Sequence, residues 1–128
     1  MGMYTEFLGT LTTSRPLTKE EITEYNDRLG EYESDMYLIF EEGSNNELRG
    51  PDCSKVVGYV DMEKGFMNTF NWMKSKGIEL TGRINYAYED IFTNDIGGGF
   101  GAFVVFPWRA IYYKFDFQGL KIISTVIY

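Results

Sequence analysis

Leu80-Thr81-Gly82-Arg83-Ile84-Asn85-Tyr86-Ala87-Tyr88-Glu89 alternates residue by residue. Leu80, Gly82, Ile84, Tyr86 and Tyr88 fall on one side and Thr81, Arg83, Asn85, Ala87 and Glu89 on the other, the period-two signature of a strand with one buried face. A helix is expected just before it, over 62–76. Met62, Phe66, Phe70 and Met73 recur there at helical spacing, Asp61 suits the N-cap, Lys74 and Lys76 suit the last turn, and Gly77 suits the stop. After the strand, 94–101 reads as a glycine-rich turn and Phe103 to Phe106 as a strand halted by Pro107. Trp108 to Phe117 then forms a hairpin through Gln118-Gly119 with Leu120 to Tyr128.

Toward the N-terminus, Lys55 to Val60 is a Val-rich β-like run, 41–54 a polar loop containing Pro51, and Tyr37 to Phe40 a short buried strand. Thr18-Lys19-Glu20-Glu21 has the form of a capping box, in which the Thr18 hydroxyl and the Glu21 carboxylate each satisfy an orphan backbone N–H. Leu17 and Ile22 complete a hydrophobic staple, Tyr25 and Leu29 continue the apolar face, and Gly30 ends a helix expected over 18–29. Met3 to Leu11 reads as a first strand. Strand, helix, two strands, helix and strand is the order of a split βαβ, or ferredoxin-like, α+β fold: an antiparallel sheet with both helices on one face. A C-terminal β-meander extends that sheet or folds back on it.

With 128 residues and 44% hydrophobic content, the chain is expected to form one α+β domain with a core that needs neither disulfide nor metal. Its single cysteine, Cys53, rules out an intramolecular disulfide and fits a reducing, cytoplasmic setting. The N-terminus lacks the pattern of a signal peptide, and no stretch approaches the ~18 apolar residues of a membrane span, so no membrane association is expected. A formal charge of −7 disfavours direct binding to nucleic-acid phosphates.

Catalytic chemistry has few candidates. The chain contains no histidine, the commonest general base and transition-metal ligand. Cys53 sits beside Asp52, whose charge raises a thiol pKa, so it reads as incidental. Gly97-Gly98-Gly99-Phe100-Gly101-Ala102 has the G-x-G-x-x-A spacing of a dinucleotide loop, but a strand rather than a helix follows. Glu89-Asp90 and Asn94-Asp95 offer oxygen ligands without the alternation of a calcium loop, and Glu89 with Asp116 is a carboxylate pair only in sequence. No catalytic residue, cofactor or metal site is expected.

The acidic residues are unevenly distributed. Residues 1–52 hold 12 of the 19 Asp and Glu and 4 of the 12 Lys and Arg, giving −8 against +1 for 53–128. Glu20, Glu21, Glu24, Asp27, Glu31 and Glu33 follow one another along the first helix and its exit, as either a solubilising face or a docking face for a basic protein. The aromatic series Tyr86, Tyr88, Phe103, Phe106, Trp108, Tyr112, Tyr113, Phe115 and Phe117 reads mainly as core. Two helices cover only one face of a sheet, however, so some aromatics are left outward, where they can anchor a partner or another copy.

Leu80-Thr81-Gly82-Arg83-Ile84-Asn85-Tyr86, then Glu89-Asp90 and Asp95-Ile96-Gly97, after a helix bearing Trp72 and ending at Gly77, resembles a pattern in small phage and bacterial proteins. In those proteins a helix with Trp leads into L-x-G-x-[VI]-x-W, a glycine, Glu-Asp and Asp-x-Gly. The likeness spans about residues 60–97, and Tyr86 replaces Trp, Tyr88 replaces Gly, and the spacer before Asp95 is longer. The resemblance implies an α+β domain of phage or mobile-element origin and transfers no activity. The leading functional expectation is therefore a non-enzymatic module whose acidic helix engages a basic or nucleic-acid-binding protein, for instance as an inhibitor or accessory factor. The alternatives are a homo-oligomeric structural subunit assembling through aromatics or edge strands, and a metal- or nucleotide-binding protein using the 89–101 loop.

Overall fold

The computed structural model describes residues 3–29, 37–51, 54–56, 59–88, 100–116 and 119–128. They form an α+β fold of eight strands and two helices. The elements in order are β1 (Met3–Thr13), α1 (Lys19–Leu29), β2 (Ile39–Phe40), β3 (Glu47–Arg49), β4 (Ser54–Val56), α2 (Tyr59–Ser75), β5 (Leu80–Tyr88), β6 (Phe100–Phe106), β7 (Arg109–Asp116) and β8 (Gly119–Ile127). The sheet runs β2-β3-β1-β5-β6-β7-β8, with β4 also on β1, and all of these pairings are antiparallel.

The expected capping box is formed. The Glu21 N–H donates to Thr18 Oγ1 at 3.1 Å and the Thr18 N–H donates to Glu21 Oε1 at 3.0 Å, satisfying two of the donors that a helix start leaves unpaired. Leu17 is buried and Ile22 packs against the same core. At the other helix's end the Ile78 N–H reaches the Met73 carbonyl and the Gly77 N–H the Lys74 carbonyl, both at 2.9 Å, a Schellman closure. It places Gly77 at φ 68°, which favours glycine.

Three expected boundaries move. The 41–54 loop contains β3, whose one apolar side chain, Leu48, is fully buried opposite Leu11. A single apolar residue flanked by charges carries no period, so this strand depends on its partner. The 55–60 run ends as a strand at Val56, which pairs with Met3, the first described residue of β1. With no further described ladder partner, Tyr59 and Val60 are already helical, and Asp61 lies inside α2 rather than capping it. β6 begins at Phe100, so 100–101 belong to a strand and not to the expected turn. The remainder of that turn, 94–99, lies outside the described residues, as do Gly30, Phe117 and Gln118.

β3 and β4 keep one register on β1, with Leu11 opposite Leu48 and Met3 opposite Val56. They are two pieces of one line, interrupted where Pro51 has no N–H to give.

Alternation then sorts the sheet. Leu11, Leu80, Ile84, Tyr86, Phe103, Val105, Ala110 and Tyr112 face one buried cluster, which also takes Tyr25 from α1 and Phe66, Phe70, Trp72 and Met73 from α2. Both helices therefore cover the same face. The Tyr25 hydroxyl donates to the Leu38 carbonyl and accepts from Thr69 Oγ1 at 2.6 Å, tying α1, the approach to β2 and α2 together in the interior.

Candidate docking surfaces

The acidic helix is less free than its sequence implies. Glu21 accepts a fork from Arg15, Nη1 to Oε1 at 2.9 Å and Nη2 to Oε2 at 2.8 Å, besides serving the capping box. Glu24 Oε2 lies 2.8 Å from Lys76 Nζ, just beyond the end of α2. Glu20 and Asp27 are exposed and, among the described residues, in no ion pair. Glu31 and Glu33 lie outside the described residues, so the structure brings together Glu20, Glu21, Glu24 and Asp27 on one helix and leaves two of them for an outside partner.

The Glu21 carboxyl is drawn down to about 2, first by the Arg15 fork and next by the Thr18 N–H. A group whose folded pKa lies below its unfolded value of 4.5 stabilises the fold above that value, and the contribution is lost as pH falls toward about 2. NMR titration of Glu21 is therefore expected to give a midpoint near 2 that rises in Arg15→Ala. A midpoint near 4.5 in the unmodified chain would show that the fork does not persist in solution.

The face of the sheet away from the helices has a different character. Among the described residues, the exposed large apolar side chains are Leu8, Phe100, Phe106, Phe115, Leu120, Ile122 and Ile127, and all seven point to this open face. Their placement follows from register. Phe115 is opposite Leu120, Tyr113 lies between Ala102 and Ile122, Ile111 between Val104 and Thr125, and Arg109 between Phe106 and Ile127. These rows run across β6, β7 and β8, and the Phe100 and Phe115 rings meet at 5.1 Å. On β1 and β5 the same face is mostly polar, with Thr10, Thr12, Thr81, Arg83 and Asn85 around Leu8. The apolar surface is thus one area at one end of the sheet, with Ile122 60% and Ile127 79% exposed.

The aromatic series divides accordingly. Tyr86, Phe103 and Tyr112 are core, Trp108 and Tyr113 half-buried, and Phe106 and Phe115 exposed; Phe117 and the Tyr88 side chain lie outside what is described. The outward aromatics are Phe rather than Trp, for Trp72 is buried and Trp108 turns back onto Tyr128 with ring centroids 6.0 Å apart. Trp108 does so from a left-handed backbone, φ 63°, at the second corner of the Pro107-Trp108 turn. What sequence reasoning missed is the aliphatic part of this surface. Its signal was present: β8 is apolar at positions of both parities, more than one buried face requires.

Candidate chemistry is sparse among the described residues, which hold no group of three or more His, Cys, Asp or Glu placed to bind a metal. Cys53, Glu89, Asp90 and 94–99 lie outside them, as does the Asp116 side chain. No helix is long and apolar enough to cross a membrane among the residues described. Comparison with models of known protein families, with curated proteins and with solved structures finds no match.

Proposed function

We propose that this chain is a non-enzymatic protein-binding module whose contact surface is the open face of β6, β7 and β8. One observation carries the reading: among the described residues the exposed large apolar side chains share that face, and six of those seven lie on those three strands. Burying such side chains gains about 25 cal/mol per Å² of apolar area, a driving force that solvent-exposed ion pairs do not match. Interface cores are enriched in aromatic residues, Phe among them, and depleted in charged ones. The strand order β5-β1-β3-β2, counting β3 with β4, supports a split βαβ core in which each helix carries the chain over one intervening strand. The strands β6, β7 and β8 then extend its β5 side.

A second reading keeps α1 as the contact for a basic protein, favoured by the exposure of Glu20 and Asp27. The two readings separate cleanly in a capture experiment. Partners retained by the unmodified chain are expected to be lost with Phe115→Ser/Ile122→Ser, kept with Glu20→Lys/Asp27→Lys, and held at high salt. Retention by the open-face variant together with loss on charge reversal would transfer the contact to α1.

A further inference from the structure

We propose that two copies of this chain join edge to edge through β8, so that their sheets continue as one across a two-fold axis. The inference goes beyond the open-face reading, because it concerns the unpaired backbone of an edge strand. Among the described residues β8 ends the sheet and pairs only with β7. Its nine residues, Gly-Leu-Lys-Ile-Ile-Ser-Thr-Val-Ile, contain no proline and one charge, Lys121. Edge strands that stay single are usually short, charged, bulged or interrupted by proline. The one irregularity here is a bulge opposite Tyr112 and Tyr113.

The direction of the free donors follows from one bond. The Tyr128 N–H donates to the Trp108 carbonyl at 3.1 Å. Bonded and non-bonded pairs alternate along an antiparallel ladder, so Val126 turns its N–H toward β7 while Ile127 and Thr125 turn theirs to the open edge. A second β8 running the other way meets these donors. The two-fold register that keeps outward side chains together sets Leu120 beside Ile127 and Ile122 beside Thr125, and so fuses the apolar surfaces of the two copies.

The occupant is a second copy for two reasons. Among the described residues the opposite edge, β2, is only two residues long, so head-to-tail pairing of β8 with β2 has little to hold it, whereas β8 with β8 in this register engages eight residues from each chain and closes. Charge agrees. Residues 100–128 carry Arg109, Lys114, Lys121 and Asp116, net +2, which leaves −9 on the rest. The acidic helix α1 sits at the far edge, where Tyr25 meets Phe40 of β2 with ring centroids 5.4 Å apart. Six strand spacings of ~4.8 Å put that edge about 29 Å from β8, well beyond a Debye length of about 8 Å. Two chains of like net charge can therefore meet at β8 with little repulsion.

Sedimentation equilibrium is expected to give twice the 14.8 kDa chain mass. Thr125→Pro removes a donor that points away from β7, so the β7–β8 ladder survives while the dimer dissociation constant rises by about thirtyfold or more. Ile122→Lys/Ile127→Lys places like charges in the seam and serves as the second variant should the proline disturb folding. In the unmodified chain the Thr125 and Ile127 amides are expected to exchange slowly with deuterium, and dimer loss should speed the residue-127 amide in either variant and the Thr125 amide in Ile122→Lys/Ile127→Lys. A wild-type monomer at every concentration overturns the proposal, whether or not β8 then accepts a strand of another protein. So does a dimer indifferent to both β8 variants. A dimer broken by Phe115→Ser but untouched at β8 would leave the open-face reading standing and remove this one.

Discussion

Phe66→Ala is expected to destabilise the fold by about 3–5 kcal/mol, the range for removing a buried aromatic ring. The ring is fully buried under α2. It meets Phe103 of β6 edge-on at 4.6 Å, Phe7 of β1 at 6.2 Å and Phe70 of its own helix at 6.3 Å between centroids. It thus joins strands on both sides of β5 to the helix layer, and its neighbours are rings held by their own partners, as Phe103 is by Tyr112 at 4.4 Å. Such a site collapses poorly around a void, which places the cost toward the upper end of the range. Phe66→Leu keeps most of the volume and is expected to cost less than half as much. Urea unfolding followed by circular dichroism measures both, and a loss below about 1 kcal/mol for Phe66→Ala would mean that α2 is not seated on the sheet as described.

Gly101→Ala is expected to be comparably severe for a different reason. A Cβ at residue 101 would overlap the Tyr113 carbonyl oxygen and stand 2.6 Å from Cζ of Tyr86. The first of these is backbone in the adjacent strand, and no rotamer change relieves it. The glycine leaves the space through which the Tyr86 hydroxyl crosses β6 to donate to that Tyr113 carbonyl at 3.1 Å. The methyl therefore either parts β6 from β7 or displaces the phenol from its acceptor. We expect a loss of at least about 3 kcal/mol. Tyr86→Phe alone should cost about 1 kcal/mol and should not rescue the double variant, because the carbonyl clash remains. Full recovery in Gly101→Ala/Tyr86→Phe would show that the phenol, not the strand spacing, sets the limit.

Such residues mark the boundary of what could be read in advance. The capping box at Thr18 and Glu21 was legible because every participant lies within one helical turn. β5 was legible because its buried neighbours on both sides enforce one clean alternation. β3 was not, since Leu48 alone carries its burial and only pairing with Leu11 makes it a strand. The start of α2 was misplaced because the Val-rich run favours strand by local propensity, whereas Tyr59 and Val60 are taken into the helix.

The candidate surfaces divide in the same way. Acidic residues on the first helix were plain from composition, but the Arg15 fork and the Lys76 contact come from segments outside the helix and withdraw half of the four described acids from solvent partners. The apolar outer face was only hinted at. Which of Phe100, Phe106, Phe115, Leu120, Ile122 and Ile127 face outward depends on the register of three strands and on a bulge in β8 that changes its parity midway.

By itself, then, the sequence determined the class of this protein, its two helices and the acidic bias of its first two-fifths. Those features rest on interactions a few residues long, namely caps, periodicity and net charge. The apolar surface gathered on β6, β7 and β8 and, among the described residues, the edge position of β8 were decided only by tertiary structure. Each depends on which distant segments pair, and neither propensity nor composition encodes a pairing between residues as far apart as Leu11 and Gly82 or Gly101 and Lys114.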